Sequence, residues 1–185
     1  VAVEDSGERS TDVLVEGYLA PPARLPSFKI TQRYRFLGDG ELRIETGMEP
    51  LGVEMPPIPR FGLELHLAPG HERAAWFGYG PCDSYRDMHL ASRRGWFEAP
   101  VDTFYVPYVR PQEHGARHRC AWAALTDLRG EGLLAIGEPH FDFTARHHTV
   151  EDLESAPHTI DLVRRGETIV HLDGDQDVSR GDMIC

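Results

Sequence analysis

The sequence predicts an all-β chain folded as a large antiparallel β-sandwich, on three observations. Period-two alternation of apolar and polar residues recurs in about ten short stretches. One stretch alone carries a persuasive helix start. No long helical pattern alternates with strands, and 185 residues fall short of the roughly 250 that a (β/α)8 barrel needs.

The elements follow in order. Residues 1–12, with Glu4, Asp5 and Glu8, read as a frayed acidic start to a single domain spanning 1–185. Val13–Tyr18 is a short strand, and Pro21, Pro22 and Pro26 then force an extended connector, because each lacks an N–H and restricts the residue before it. From Phe28 to Phe36 the alternation is cleanest: Phe28, Ile30, Gln32, Tyr34 and Phe36 on one side, Lys29, Thr31, Arg33 and Arg35 on the other. Gly38-Asp39-Gly40 tolerates positive φ, and Leu42, Ile44 and Thr46 resume period two, which predicts a hairpin. Met48–Pro59, with four prolines, reads as a loop. Phe61, Leu63, Leu65 and Leu67 mark the next strand, and Arg73–Gly78 another.

Residues 82–102 look irregular, with a helical turn near Met88. Thr103–Val109 is β-favouring but broken by Pro107, which predicts an edge or a bulge. Arg117–Thr126 and Leu133–Ile136 form two apolar runs around the Gly130-Glu131-Gly132 turn, and Phe141 and Phe143 mark a separate strand. Thr149, followed by Glu151 and Asp152, is the helix start, with an N-cap hydroxyl and acids in the first turn. Thr159–Val163 and Thr168–Leu172 are expected to pair as a hairpin around Arg164-Arg165-Gly166-Glu167.

The formal net charge of −11 argues against a phosphate-binding surface, which needs a basic stripe; Arg93-Arg94 and Arg164-Arg165 are short and isolated. Such a surface suits a neutral or cationic ligand, and neither nucleic acid nor membrane is an expected partner. Cys82, Cys120 and Cys185 form an odd set without Cys-x-x-Cys spacing, so no disulfide framework or zinc ribbon is signalled, and reduced thiols in a cytoplasm are the economical reading. No run approaches 18 apolar residues, and the acidic start has no signal-peptide core.

Ten histidines raise a metal site. His114 and His118 have the i, i+4 spacing of one helical face, and His140, His147, His148 and His158 lie near carboxylates. Gly115 and the strand pattern after Arg117 speak against a helix there, and neighbouring His147 and His148 would face opposite ways on a strand. No metal and no cofactor is expected. The Asp/Gly-rich end, Leu172-Asp173-Gly174-Asp175-Gln176 and Gly181-Asp182-Met183-Ile184-Cys185, has calcium-loop composition without the spacing. Neither a Gly-x-Ser-x-Gly elbow nor a glycine-rich phosphate loop occurs.

Chemistry concentrates between Gly78 and Arg119, where Tyr, Trp, Arg and carboxylates crowd together. Aromatic faces stack on sugar rings while Arg, Gln, Asp and Glu bind hydroxyls, so this composition suits the wall of a pocket for a polar, non-ionic ligand. The same composition describes a tight turn and a packed aromatic corner.

Gly78-Tyr79-Gly80-Pro81 with Tyr85-x-Asp87, followed by Tyr105-x-Pro107-Tyr108-x-Arg110-Pro111-Gln112-Glu113-x-Gly115, resembles the C-terminal domain of the large multi-domain β-galactosidases of glycoside hydrolase family two. Both blocks agree in order and separation. Ala121-Trp122, Leu125-Thr126-Asp127, Phe141-x-Phe143, the Leu153–His158 stretch, Leu172-Asp173, Gln176 and Gly181-Asp182 fall where that domain has similar elements. The resemblance implies a supersandwich of the galactose mutarotase-like type whose final strands lie beyond this segment. It implies a domain that helps to form a galactoside pocket and the assembly. The nucleophile and acid/base glutamates would belong to a separate barrel domain, or to a partner subunit, absent here. The parent chemistry would be retaining hydrolysis of terminal β-galactosides, and this chain alone would be inactive.

Carried over residue by residue, the resemblance makes Asp182 and Cys185 substrate-binding residues at the pocket edge, although Cys185 stands where the family often has a stacking Trp. Met88 likewise replaces the family's Arg after Asp87. Gly78, Gly80, Pro81, Tyr85, Asp87, Tyr108, Arg110, Gln112, Glu113 and Gly115 are read as a structural motif, an Arg–carboxylate corner. No residue is assigned a catalytic role. Two other readings stay open: an autonomous mutarotase-like enzyme using a His and a carboxylate, and a purely structural assembly domain that packs on a partner or on itself.

Overall fold

Alternation translates into strands throughout the computed structural model, which describes residues 1–5, 10–22, 25–52 and 60–174. Ten strands form two antiparallel sheets, with one short α-helix and two 3-10 turns among the described residues. The all-β class expected of a sandwich is therefore present, and neither sheet is closed into a barrel. Backbone contacts divide the chain into two units, Val1–Pro57 and Ile58–Cys185.

The first unit holds a meander, β1 (Ala2–Asp5), β2 (Ser10–Leu19), β3 (Phe28–Leu37) and β4 (Leu42–Pro50), in that spatial order. The β3–β4 hairpin closes at the expected turn: Leu37 N–H donates to Glu41 O at 2.9 Å, and Gly40 takes φ +92°. An L side chain seldom adopts that conformation. Asp12, 5% exposed, accepts two 2.7 Å bonds from the Arg35 guanidinium. Two expectations change here. Ala2–Asp5 pairs with β2 instead of fraying, and β4 runs on through Met48 to Pro50 where a loop was expected.

The second unit holds six strands in the order β5-β10-β9-β8-β6-β7. They are β5 (Gly62–Leu67), β6 (Arg73–Gly80), β7 (Arg93–Pro100), β8 (Arg117–Thr126), β9 (Gly132–Arg146) and β10 (Thr168–Asp173). One face of this sheet carries the core: Ala74, Trp76, Ala123, Leu125, Phe143, Ala145 and Val170 are buried on it, with Val101 and Phe104 of a 3-10 turn in the same cluster. Trp76 stacks on Phe97 and meets Phe104 edge-on, with centroids 5.5 and 5.3 Å apart.

Four expectations for this unit are corrected. Arg93–Pro100 is an edge strand inside the stretch read as irregular; its apolar signal is only Phe97 and Ala99 inward, interrupted by Gly95 and outward Trp96. Residues 101–104 turn as a 3-10 helix and 105–108 are irregular, so the Thr103–Val109 strand does not form. The two apolar runs Leu133–Ile136 and Phe141–Phe143 belong to one long strand, β9. Finally, Thr159–Asp161 is a 3-10 turn, and β10 pairs with β5 and β9 in place of a local hairpin. The expected helix is α1 (Val150–Ser155), closed by a capping box in which Thr149 Oγ1 accepts from Asp152 N–H and Asp152 accepts from Thr149 N–H.

Candidate functional site

The two motif blocks meet. Gly78 and Gly80 sit on β6 where a Cβ would come within 2.6 Å of Cys120 Sγ and 2.9 Å of the Phe97 ring, so both positions exclude side chains. After Pro81 the chain turns under the second block. Ser84 N–H donates to Ala116 O at 2.8 Å, and Ser84 Oγ accepts from His118 N–H at 3.0 Å. Asp83 Oδ2 and the Tyr85 hydroxyl accept from Gly115 and Ala116 N–H at 3.2 and 3.3 Å. Tyr85 and Met88 close the turn with reciprocal backbone bonds of 2.9 and 3.1 Å. Gly115 takes φ +81°, with a would-be Cβ 2.5 Å from Phe104 O, which explains the residue.

Behind this corner Arg117 is buried. Its guanidinium carbon lies 4.1 Å from the Phe104 ring centroid and 5.1 Å from that of Trp76, and Nη1 donates to the carbonyls of Gly115 and Ala116. Burial pushes its pKa down, against the pull of Asp83. The side chain ties the start of β8 to the aromatic core as a cation–π contact.

On the face of the sheet opposite the core, β5, β10 and β9 place polar residues in rows. His171 on the middle strand β10 lies opposite Glu64 on one side and Thr144 on the other, and Asp173 likewise between Gly62 and Asp142. Glu113 joins them from the second motif block. It accepts from Arg146 Nη1 at 2.7 Å and from Arg60 Nη1 at 3.0 Å, and Arg60 Nε donates to Asp173 Oδ2 at 2.8 Å. Arg146 Nη2 lies 3.0 Å from His171 Nε2, and its Nε donates to His148 O at 3.0 Å. Two arginines and two carboxylates are thus held together in a largely buried network.

Burial alone would raise the Glu113 pKa, but Arg146 and Arg60 outweigh it and hold it below the usual value. Asp173 has only Arg60 against its desolvation and the charges of Glu113 and Asp142, so it ends raised. The two carboxylates share Arg60 yet shift in opposite directions because Glu113 has a second cation. His171, pushed down to about 3 by burial and by Arg60 and Arg146, is neutral. Each charge in the network is matched internally. The arrangement anchors chain segments and fixes Asp173 and Gly174, whose N–H donates to Phe61 O at 3.0 Å.

The structure therefore assembles Gly78, Gly80, Pro81, Tyr85, Gln112, Glu113 and Gly115 into one corner. Tyr108 O accepts from the Thr159 hydroxyl, and Gln112 O accepts from His114 Nδ1 at 2.7 Å. Arg110 and Asp87 are exposed, and the arginines facing Glu113 are Arg60 and Arg146, so the Arg–carboxylate corner is real but not built with Arg110. Asp182 and Cys185 lie outside the described residues, as does the Asp/Gly-rich stretch after Gly174. Sequence reasoning missed Arg60, Arg146 and His171. The available signal was charge on otherwise apolar strands: Arg146 ends the Phe143–Ala145 run, and His171 interrupts Ile169, Val170 and Leu172. Among the described residues no three His, Cys, Asp or Glu are grouped to hold a metal ion, and no helix is long and apolar enough to cross a membrane.

Comparison with known proteins gives one family. The family model described as β-galactosidase small chain matches residues 1–178. The chain is similar to a β-galactosidase of Actinobacillus pleuropneumoniae, with 28% identity over 167 residues, 90% of this chain and 16% of that protein. It is 33% identical over 142 residues to one of Vibrio cholerae, covering 76% of this chain and 13% of the relative. With one of Priestia megaterium the identity is 30% over 146 residues, 79% of this chain and 14% of the relative. The chain thus spans about a seventh of the length of the relatives it matches.

Proposed function

The chain belongs to the β-galactosidase small-chain family, and on that premise we propose that it is the C-terminal domain of an enzyme hydrolysing terminal β-D-galactosides, where it forms one edge of the sugar pocket and part of the assembly. The catalytic carboxylates come from a barrel domain of the same enzyme or of a partner subunit, so this chain by itself does not cleave the glycosidic bond. The observation that carries the reading is the anchoring of Asp173 and Gly174. Arg60 holds Asp173, and Glu113 holds Arg60, so the point from which the chain continues towards Asp182 and Cys185 is fixed by a charge-matched network, which suits a supporting role beside a binding site. The role is that of a wall: Asp182 accepts hydrogen bonds from sugar hydroxyls while the barrel performs the chemistry.

The test is hydrolysis of a nitrophenyl β-galactoside by this chain alone and by the chain joined to the polypeptide that supplies the barrel. The chain alone is inactive, and the joined enzyme loses about tenfold in kcat/KM on Asp182→Ala, as expected for a missing hydrogen bond to a charged group. Hydrolysis by the isolated chain refutes the division of labour, as does rapid conversion of α- to β-galactose followed by polarimetry.

A further inference from the structure

Within the second unit, the face of the sheet that carries the polar rows on β5, β10 and β9 turns apolar towards its other end. Phe77 on β6 lies directly opposite Trp96 on the edge strand β7 and Trp122 on β8, and Trp122 lies opposite Ile136 on β9. Directly opposed residues share one face, so these four side chains form a single row across four strands. The next row continues the surface with Ala75, Ala124 and Leu134. A sheet face that meets only water alternates to polar residues, and this one does not. Trp96 is 66% exposed, Ile136 73%, Leu134 61% and Phe77 36%. At about 200 Å² for a large side chain, these four leave roughly 450 Å² of apolar surface open, the size of patch that on a monomer often marks a contact site.

Area and charge together select the occupant. A standard interface removes about 800 Å² from each partner, somewhat more than half of it apolar, which is what these two rows offer. The charges lie on β7. Arg94 and Glu98 stand opposite Tyr79 and Ala75, so both point outward, two residues to either side of Trp96. Both are exposed, and neither forms an ion pair among the described residues. The Arg94 guanidinium carbon leans over the row, 5.4 Å from the Phe77 ring centroid. An acidic partner would meet Glu98 as a like charge, and a basic partner would meet Arg94. A second copy meets neither. A twofold axis laid along the row reverses the strand direction, sets Arg94 of each copy against Glu98 of the other, and packs the aromatic row on itself, which is the self-complementarity an isologous contact requires. Two sheets packed face to face in this way run nearly aligned, as in a sandwich.

We infer that this face is the contact between two copies of the chain, with Trp96, Phe77, Trp122 and Ile136 at its centre and reciprocal Arg94–Glu98 pairs at its rim. Trp96 and Trp122 meet edge-on, with ring centroids 5.9 Å apart, so the centre is already ordered before association and little side-chain freedom is lost. Two chains of net charge −11 repel each other, which holds the affinity to the micromolar range. The inference gives a surface to the assembly role proposed above and stands whether or not the sugar-pocket role does.

The experiment is sedimentation equilibrium of the full 185-residue chain from about 1 to 200 μM, a range that brackets a micromolar dimer. A monomer–dimer equilibrium is expected. Arg94→Glu and Glu98→Arg each set like charges face to face and should weaken the dimer at least tenfold, whereas the double exchange Arg94→Glu with Glu98→Arg should restore it to within about threefold. Trp96→Lys should leave a monomer. All three positions are exposed, and an unchanged thermal midpoint verifies that each variant folds. A chain that stays monomeric throughout, a dimer that survives Trp96→Lys, or a double exchange no tighter than its parents would each overturn the inference. A monomeric chain would do so without touching the pocket-edge role, which the hydrolysis test decides separately.

Discussion

Glu113→Gln tests the charge network directly. The substitution keeps the shape of the side chain and one acceptor oxygen but removes the charge that faces Arg146, whose side chain is 1% exposed, and Arg60, at 27%. Breaking a buried ion pair from one side leaves an uncompensated cation and costs about 3–5 kcal/mol. The retained oxygen puts Gln at the lower end, about 3 kcal/mol, which lowers the melting temperature by roughly 10 °C for a unit of this size. The assay is urea and thermal unfolding followed by Trp fluorescence. All three tryptophans, Trp76, Trp96 and Trp122, lie in the second unit, so the signal reports that unit alone. Replacing both partners, as Glu113→Leu with Arg146→Met, should recover much of the loss, because a well-packed apolar pair carries no desolvation penalty. A cost below about 1 kcal/mol for Glu113→Gln would refute the reasoning, since that is the range of water-screened surface pairs.

The remaining predictions concern pH and backbone conformation. His171 is held at about 3 in the folded chain, against about 6.5 for an unhindered imidazole. The unfolded chain therefore binds the extra proton first. Its contribution to stability is complete above pH 6.5 and is lost as pH falls towards 3, by about 1.4 kcal/mol per pH unit within that window. Buried His114 and His148, both lowered, act in the same direction, whereas the raised carboxyl of Asp173 opposes it weakly at the acid end. Urea midpoints at pH 7, 6 and 5 should fall accordingly, and His171→Gln should flatten the slope; an equally steep slope in that variant would exclude His171 as its source. Gly115→Ala forces a Cβ to 2.5 Å from Phe104 O at φ +81°, and about 2 kcal/mol or more of stability should be lost, measured by the same unfolding curves.

Much of the local structure was legible because it rests on local rules. The β3–β4 hairpin follows from Gly40 and the flanking alternation, and α1 from the Thr149/Asp152 capping box, since every partner involved is within four residues. Errors fell where a strand is defined by its neighbours. Arg93–Pro100 carries charge, glycine and proline but pairs along its whole length with β6. Thr159–Val163 has strand-like composition, yet β10 already has β5 and β9 on its two edges, so no edge was left for a local hairpin partner. The two apolar runs within β9 looked like separate strands because polar residues and Pro139 divide them. Their pairing with β8 passes through register irregularities around Cys120 that no period reveals.

The sequence by itself determined the all-β class, the order of most strands, the acidic character of the chain, and the two motif blocks that mark the family. Tertiary structure alone decided which charges meet. Glu113 is three residues from Arg110, yet it bonds Arg146 and Arg60, 33 and 53 residues away. The physical reason is that a carboxylate leaving water needs a cation leaving water with it, and burial is a property of the assembled sheet. The same holds for the outward row of Trp96, Phe77, Trp122 and Ile136. Its members come from four strands, and only the register of the sheet brings them to one place.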